Sequence, residues 1–201
     1  MSGQPQTEPV SAHVRVVNPA NALTVLRLLL VPVFLVVLFA DNSAETAGRI
    51  TAFVIFAAAV ATDRLDGWLA RNYGMVTRFG TLADPIADKA LIGAALIGLS
   101  VLGELPWWVT VLILAREIGI TVLRFVVLHR GVIPASRGGK LKTLVQAVAI
   151  GLFILPLSGP WLVTAWVVMA AAIALTLGTG VDYVLSAVAD MRGRPRRAGL
   201  I

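Results

Sequence analysis

Apolar residues in this chain fall into six long blocks, separated by short breaks of polar residues, proline and glycine. The first block runs from Asn21 to Ala40, and the polar stretch from Asp41 to Gly48 ends it. Apolar sequence resumes at Ile50, and a third block spans Thr81 to Gly103 before a turn at Glu104 to Pro106. The fourth block runs from Pro106 to His129. A basic loop follows from Arg130 to Lys142, with Pro134 and the Gly138–Gly139 pair as helix breakers. Leu144 to Leu157 is the fifth block, Ser158 to Pro160 a tight turn, and Trp161 to Val188 the sixth. The pattern predicts an all-α integral membrane protein of six transmembrane helices, with a short interfacial helix near Ala12 to Pro19. Residues 1–12 read as a polar, flexible start, 13–189 as a single six-helix membrane domain, and 190–201 as a basic tail.

Composition supports this reading. The 201 residues are 58% hydrophobic and 14% charged, against about half and a quarter in an ordinary soluble domain. Cysteine is absent, which excludes disulfides, thiolate metal sites and cysteine nucleophiles. The two histidines, His13 and His129, are too few and too far apart for a histidine metal cage. No basic stretch precedes an apolar core at the start, so no cleaved signal peptide is expected. The 17 Lys and Arg exceed the 11 Asp and Glu, and in so apolar a chain this excess points to anionic lipid or substrate rather than nucleic acid.

The basic residues also orient the chain. The breaks after blocks one, three and five contain only Arg49 near a membrane end, whereas the other breaks and both termini carry nearly all the rest. Both termini are therefore expected on the cytoplasmic side of the cell membrane. The tail arginines 192, 194, 196 and 197 read as a lipid-surface anchor. Trp107, Trp108, Trp161 and Trp166 lie near the opposite ends, as an aromatic belt would.

Counted from the outer face, the charges inside the blocks share one depth. The uncharged stretches are 13 residues from Leu28, 13 from Ile50, 14 from Ala90, 11 from Leu105 and 15 from Thr143. At 1.5 Å per residue they reach about 16–23 Å, short of a ~30 Å hydrocarbon core. Arg27, Asp63, Asp88, Lys89, Arg116 and Lys142 thus fall in one layer in the cytoplasmic half of the bilayer. Snorkelling would accommodate an isolated Lys or Arg but not short aspartates, so the layer implies a polar cavity.

Two runs within that layer carry the chemistry. Asp63 and Asp66 are three apart, and Asp84 and Asp88 four apart, so each pair shares a helix face. The two helices are consecutive and joined by a short loop from Asn72 to Phe79, which brings both pairs to one opening. Four neighbouring carboxylates cannot all ionise without cations, and two hard divalent ions, Mg2+ or Mn2+, would balance them. Such a site suits displacement at phosphorus. Gly67 and Ala70 would admit a substrate close to the backbone, and Arg71 offers a fork for a diphosphate.

The pattern D-x2-D-G-x2-A-R-x8-G-x3-D-x3-D, from Asp63 to Asp88, resembles the signature of the CDP-alcohol phosphotransferases at every position. The resemblance implies Asp63, Asp66 and Asp84 as metal ligands and Asp88 as ligand and general base. It implies CDP-diacylglycerol contacts at Gly67, Arg71 and Thr77, with Asn21 and Thr24 near the nucleotide. Looser motifs, Asn21 to Arg27, Arg116-Glu117 with Arg124, and Gly139 to Thr143, resemble the branch whose acceptor is glycerol 3-phosphate and which releases CMP. A homodimer is also implied.

A dianionic acceptor phosphate needs cations, and Arg27, Arg116, Arg124, Lys140 and Lys142 surround the same layer. Arg124 could instead pair with Glu117, seven residues earlier, and Lys89 could be a counter-ion to the carboxylates. Gly139-Lys140 is no P-loop, because Pro134 stands where the motif needs glycine. Three other readings stand beside the phosphatidyl transfer. A sister enzyme would use inositol phosphate, serine or phosphatidylglycerol as acceptor. A cation-coupled transporter would bind a moving ion at the aspartates but leaves the Gly67–Arg71 run without a role. A structural membrane subunit leaves the whole charged layer unexplained.

Overall fold

The computed structural model describes residues 18–40, 46–73, 77–128 and 137–191. Among these residues there are six helices: α1 Pro19–Phe39, α2 Thr46–Asn72, α3 Arg78–Val101, α4 Trp107–Leu128, α5 Arg137–Ile154 and α6 Pro160–Met191. The interfacial helix expected before Pro19 and the basic tail beyond 191 lie outside the described residues.

Local sequence sets the helix ends. The side chain of Asn18 accepts from the Asn21 N–H at 2.8 Å, and Pro19 fills the first turn, where no N–H is needed. At α3 the Thr77 side chain accepts from the Gly80 N–H at 3.0 Å. The α3–α4 turn passes through Gly103 at φ 75°, whose N–H bonds the Ser100 carbonyl, and the α5–α6 turn through Gly159 at φ 56°. Pro160 then starts α6. One boundary differs from the sequence pattern. Helix α5 begins at Arg137, seven residues before the apolar block, so Gly138, Gly139, Lys140 and Lys142 are helical rather than loop. Glycine breaks a helix interior, but in a first turn the amides have no intrahelical acceptor to lose.

Helix α1 packs on α2 and α3, α5 on α6 and α2, and α4 on α3 and α6. Helices α4 and α5 are consecutive in sequence, yet among the described residues their backbones make no close contact. The buried apolar core comprises Phe34 and Leu38 of α1, Phe56 of α2, Leu96 and Leu99 of α3, Ile113 of α4, Ile150 and Phe153 of α5, and Met169 of α6. Fully buried Ala52, Ala59, Ala95, Ala149, Ala165 and Ala172 let the helices approach closely.

The outside is apolar too: Val36, Val54, Val111, Val163, Val167 and Leu185 are all exposed. A helix apolar all round belongs in a large core or a membrane, and a bundle of this size is not a large core. Among the described residues, three helices contain stretches long and apolar enough to cross a bilayer: Asn21–Phe39, Thr46–Leu69 and Pro160–Leu185. Trp107, Trp108 and Trp161 are exposed at the starts of α4 and α6. Arg49, in the first turn of α2 at the end away from Arg27, is buried and pairs with Glu104 at 2.9 Å while donating to the Phe153 carbonyl at 3.2 Å.

Gly98 marks a close approach of α1 and α3: a Cβ there would lie 2.7 Å from Leu38 Cδ2 and 3.6 Å from Leu35 Cδ2. Gly98→Val should therefore destabilise the protein by about 1–3 kcal/mol. The measurement is the thermal unfolding midpoint of detergent-purified protein. Gly119→Ala, where the added Cβ meets nothing within 4 Å, is the control expected to leave the midpoint unchanged or slightly raised.

Candidate active site

Buried polar residues concentrate toward the end of the bundle opposite Arg49 and Glu104. Asn21, Thr24 and Arg27 of α1, Asp66 of α2, Thr77 before α3, and Lys142 and Gln146 of α5 are all less than a tenth exposed. They form two adjoining groups.

The α1–α2–α3 group contains three of the signature aspartates. Arg27 is completely buried, and its Nη1 lies 2.7 Å from Asp63 Oδ1. Its Nη2 is paired and hydrogen-bonded with Asp66 Oδ2. The i,i+3 spacing that puts Asp63 and Asp66 on one face of α2 is what lets a single guanidinium fork across both. The Thr24 hydroxyl, one turn before Arg27, donates to Asp84 Oδ1 at 2.7 Å and lies 3.4 Å from Asp66 Oδ2. One α1 face, Asn21, Thr24 and Arg27, thus reaches both acidic helices.

Asn21 completes this face. Its Nδ2 donates to Thr77 Oγ1 at 2.9 Å, and the Thr77 hydroxyl donates to Asn21 Oδ1 at 3.0 Å. The signature glycine Gly80 gains a structural reason here, because a Cβ on it would lie 2.8 Å from Asn21 Oδ1. Any larger residue would push apart α1 and the start of α3.

The second group joins α3, α4 and α5. Asp88 lines a cavity of about 120 Å³ together with Glu117, Lys142 and Gln146. Lys142 Nζ is paired with Glu117, spanning the gap that the α4 and α5 backbones leave. Arg116 turns toward α6: its Nη2 donates to Thr179 Oγ1 at 2.8 Å, and its Nη1 lies 3.4 Å from Glu117 Oε1. A Cβ on Gly180 would lie 3.2 Å from Arg116 Nε, so glycine makes room for this arginine.

Against the sequence expectations, the structure brings Asp63, Asp66, Asp84, Asn21, Thr24 and Thr77 together and sets Asp88 on the cavity beside them. Arg27, expected among the acceptor cations, stands on the carboxylate side and is engaged by Asp63 and Asp66. Lys89 bonds Thr121 of α4, and the Glu117 carboxylate is taken by Lys142 and Arg116. Gly67 is half-buried in α2. Arg71, Arg124 and Lys140 lie in α2, α4 and α5, with side chains outside the described set. Gln146 is absent from the sequence expectations, although its place four residues after Lys142 in an apolar helix is a readable signal.

The donor set of the first group is all oxygen, which suits a hard divalent cation. Among the described residues no three Asp, Glu or His side chains converge on one point. A positive charge nevertheless lies between two of them, supplied by Arg27. The described carboxylates thus supply hard oxygen donors, but no three of them converge, and Arg27 already balances part of their charge.

The sequence profile of the CDP-alcohol phosphatidyltransferase family matches residues 17–178. The chain belongs to this family. Over 193 residues, 96% of this chain and 92% of the relative, it is 65% identical to a probable phosphatidylglycerophosphate synthase of Mycobacterium tuberculosis (strain ATCC 25618 / H37Rv). It is 34% identical over 186 residues, 87% of this chain and 97% of the relative, to a CDP-diacylglycerol–glycerol-3-phosphate 3-phosphatidyltransferase of Escherichia coli (strain K12). A Bacillus subtilis (strain 168) protein of the same description is 36% identical over 149 residues, 69% of this chain and 77% of the relative.

Removing the buried guanidinium would leave the Asp66 carboxylate buried without its cation. Arg27→Met should lower stability by about 3–5 kcal/mol, read as the unfolding midpoint in detergent with EDTA present. Arg27→Lys should recover only part of the loss, because an ammonium cannot fork across both carboxylates.

Proposed function

We propose that this chain transfers the phosphatidyl group of CDP-diacylglycerol to glycerol 3-phosphate, giving phosphatidylglycerophosphate and CMP. The observation that carries the reading is the position of Asp88 at the junction of the two groups. It follows Asp84 by one helical turn on α3 and lines the cavity that contains Lys142 and Glu117. The family membership and the names of the relatives supply the reaction class and the acceptor.

In the proposed reaction the free primary hydroxyl of glycerol 3-phosphate attacks the phosphorus that bears diacylglycerol. A new P–O bond forms, the P–O bond to the CMP phosphate breaks, and the hydroxyl proton passes to Asp88. Asp63, Asp66, Asp84 and Asp88 would hold two divalent cations, Mg2+ or Mn2+, whose charge would stabilise the diphosphate and the departing CMP. Asn21, Thr24, Gly67, Arg71 and Thr77 would bind the cytidine diphosphate head. Arg116, Arg124, Lys140 and Lys142 would draw the acceptor phosphate. The completely buried Arg27 is reassigned from acceptor binding to holding Asp63 and Asp66 in place.

The bilayer setting follows from the same charges. We infer six spans, with both termini and the polar end of the bundle on the cytoplasmic side of the cell membrane. Apolar exposed faces on all sides of the bundle support this arrangement. Diacylglycerol chains can then stay in lipid while the cytidine head and the soluble acceptor enter from the cytoplasm. The resemblance to the family also supports a homodimer.

Purified protein given CDP-diacylglycerol and Mg2+ should release CMP with glycerol 3-phosphate, and not with inositol phosphate, serine or phosphatidylglycerol. Release with one of those instead would move the chain to a sister activity. Cation flux into liposomes lacking CDP-diacylglycerol would favour a transporter. Exhaustive EDTA treatment should abolish CMP release, and added Mg2+ or Mn2+ should restore it.

Loss of the base has its own signature. Asp88→Asn should lower kcat by about 100-fold or more in the CMP-release assay. CMP release at the wild-type rate by this variant would remove Asp88 from the role of base.

A further inference from the structure

Arg27, Lys89, Arg116 and Lys142 all turn into the bundle, where each meets a partner on another helix. Arg64 does the opposite. It follows Asp63 on α2, is exposed, and forms no ion pair or hydrogen bond among the described residues. Its setting is dictated by helical spacing. Exposed residues of α2 recur every three or four positions, at Ile50, Val54, Ala58, Ala61, Leu65 and Trp68, and make one outward stripe. Arg64 stands on that stripe, three positions after Ala61 and four before Trp68, as its one charged member.

On a bundle whose apolar outside lies in lipid, this stripe faces the bilayer. At 1.5 Å per residue Arg64 is about 21 Å beyond Ile50, which leaves it about 9 Å inside a ~30 Å hydrocarbon core. A guanidinium there is costly unless its side chain runs down the helix surface to an anion at the interface. Two aromatic rings stand at that level. Trp68 is one turn further along α2, and its ring meets Tyr73 edge to face with centroids 6.1 Å apart. Both are exposed, whereas Trp107, Trp108 and Trp161 occupy the opposite end of the bundle.

These three side chains fit one kind of ligand. A guanidinium presents a planar fork of donors that matches the oxygens of a phosphate. Indole and phenol rings settle at the headgroup level, with an apolar body toward the acyl chains. A zwitterionic lipid already offsets its phosphate with its own ammonium group. A lipid with net negative charge therefore gains more from an arginine that has no carboxylate of its own.

We propose that the Arg64, Trp68 and Tyr73 face of α2 is a binding site for an anionic phospholipid of the surrounding bilayer. The lipid phosphate sits on Arg64 and the glycerol backbone lies against the two rings. This site is outside the bundle, about 200° around α2 from Asp66, and separate from the aspartate cluster. It rests on the bilayer setting inferred above and not on the choice of acceptor.

The test reads Trp68 fluorescence in protein reconstituted into phosphatidylcholine vesicles without CDP-diacylglycerol. The Trp68 signal is the difference between wild-type protein and Trp68→Phe. Part of the lipid is then replaced by phosphatidylcholine or phosphatidylglycerol with brominated acyl chains, which quench tryptophan at short range. Wild-type Trp68 should reach half-quenching at a mole fraction of the anionic lipid about fivefold lower, the size of one arginine contact with an anionic lipid. Raising NaCl from about 0.1 M to about 1 M should shrink that preference. Arg64→Gln, measured against its own Trp68→Phe partner, should quench equally with both lipids and match wild type with phosphatidylcholine. That match also shows that the variant keeps its fold.

Equal quenching of wild-type Trp68 by the two lipids would overturn the site. A preference that survives in Arg64→Gln would overturn the role of Arg64. Shielding of Trp68 from both lipids, with the other tryptophans quenched, would put a second copy or another protein on this face and overturn the proposal alone. Absence of quenching at every tryptophan would instead overturn the bilayer setting on which the site rests.

Discussion

A fully buried arginine between two aspartates holds the functional end of this bundle together. Arg27 comes from α1, Asp63 and Asp66 from α2, and the Thr24 hydroxyl one turn earlier reaches Asp84 of α3. Arg27 or Asp66 alone would be costly, since an unpaired buried charge in an apolar bundle has neither water nor counter-ion. Together they tie three helices at fixed register. Packing of valine and leucine surfaces would tolerate sliding or rotation of α1, whereas a guanidinium forked over two carboxylates does not. The register of α1 in turn carries Asn21 to Thr77 and so positions the start of α3.

The opposite end is held by different means. Around Phe34, Leu38, Leu96, Leu99, Ile150 and Phe153 the helices meet through large apolar side chains, with alanines and Gly98 at the close approaches. Charge appears there as the Arg49–Glu104 pair, which closes α2 against the α3–α4 turn and the end of α5. The bundle is thus tight and dry at one end and polar at the other. The α4–α5 gap adjoins the polar end, where the Glu117–Lys142 pair crosses it instead of backbone packing. A cavity can persist in that gap because the residues crossing it are long and polar.

Much of this was legible in one dimension. Six helices follow from six apolar blocks, and the aspartate pairs follow from i,i+3 and i,i+4 spacing, because helical geometry is local. The shared end of the bundle at which Arg27, Asp63, Asp66 and Lys142 gather was suggested by the length of uncharged helix beyond each block's first charge. Pairing was not. Arg27 finds Asp66 across 39 positions, and its choice of carboxylates over an acceptor phosphate depends on the rotation of α1, which an all-round apolar helix does not encode. The start of α5 was hidden because glycines read as breakers are tolerated in a first turn. Gln146, four residues after Lys142 in an apolar helix, was a readable signal that went unused, and its burial shows only in the fold.

Helix α3 is what makes the two polar groups one site. Asp84 faces α1 through Thr24, while Asp88, about 6 Å further along the axis, lines the cavity shared with α4 and α5. In an in-line displacement the entering and leaving oxygens stand on opposite sides of phosphorus, so a site for it needs two compartments separated by about one phosphoryl group. A single helical turn supplies that spacing. The α1–α2–α3 side carries Asp63, Asp66 and Asp84 around Arg27 and Thr24, and the α3–α4–α5 side carries Asp88, Glu117 and Lys142 around the small cavity. Shifting the second aspartate by one residue would turn it about 100° around α3 and out of the cavity, which is the physical reason the spacing of the last two aspartates must be four.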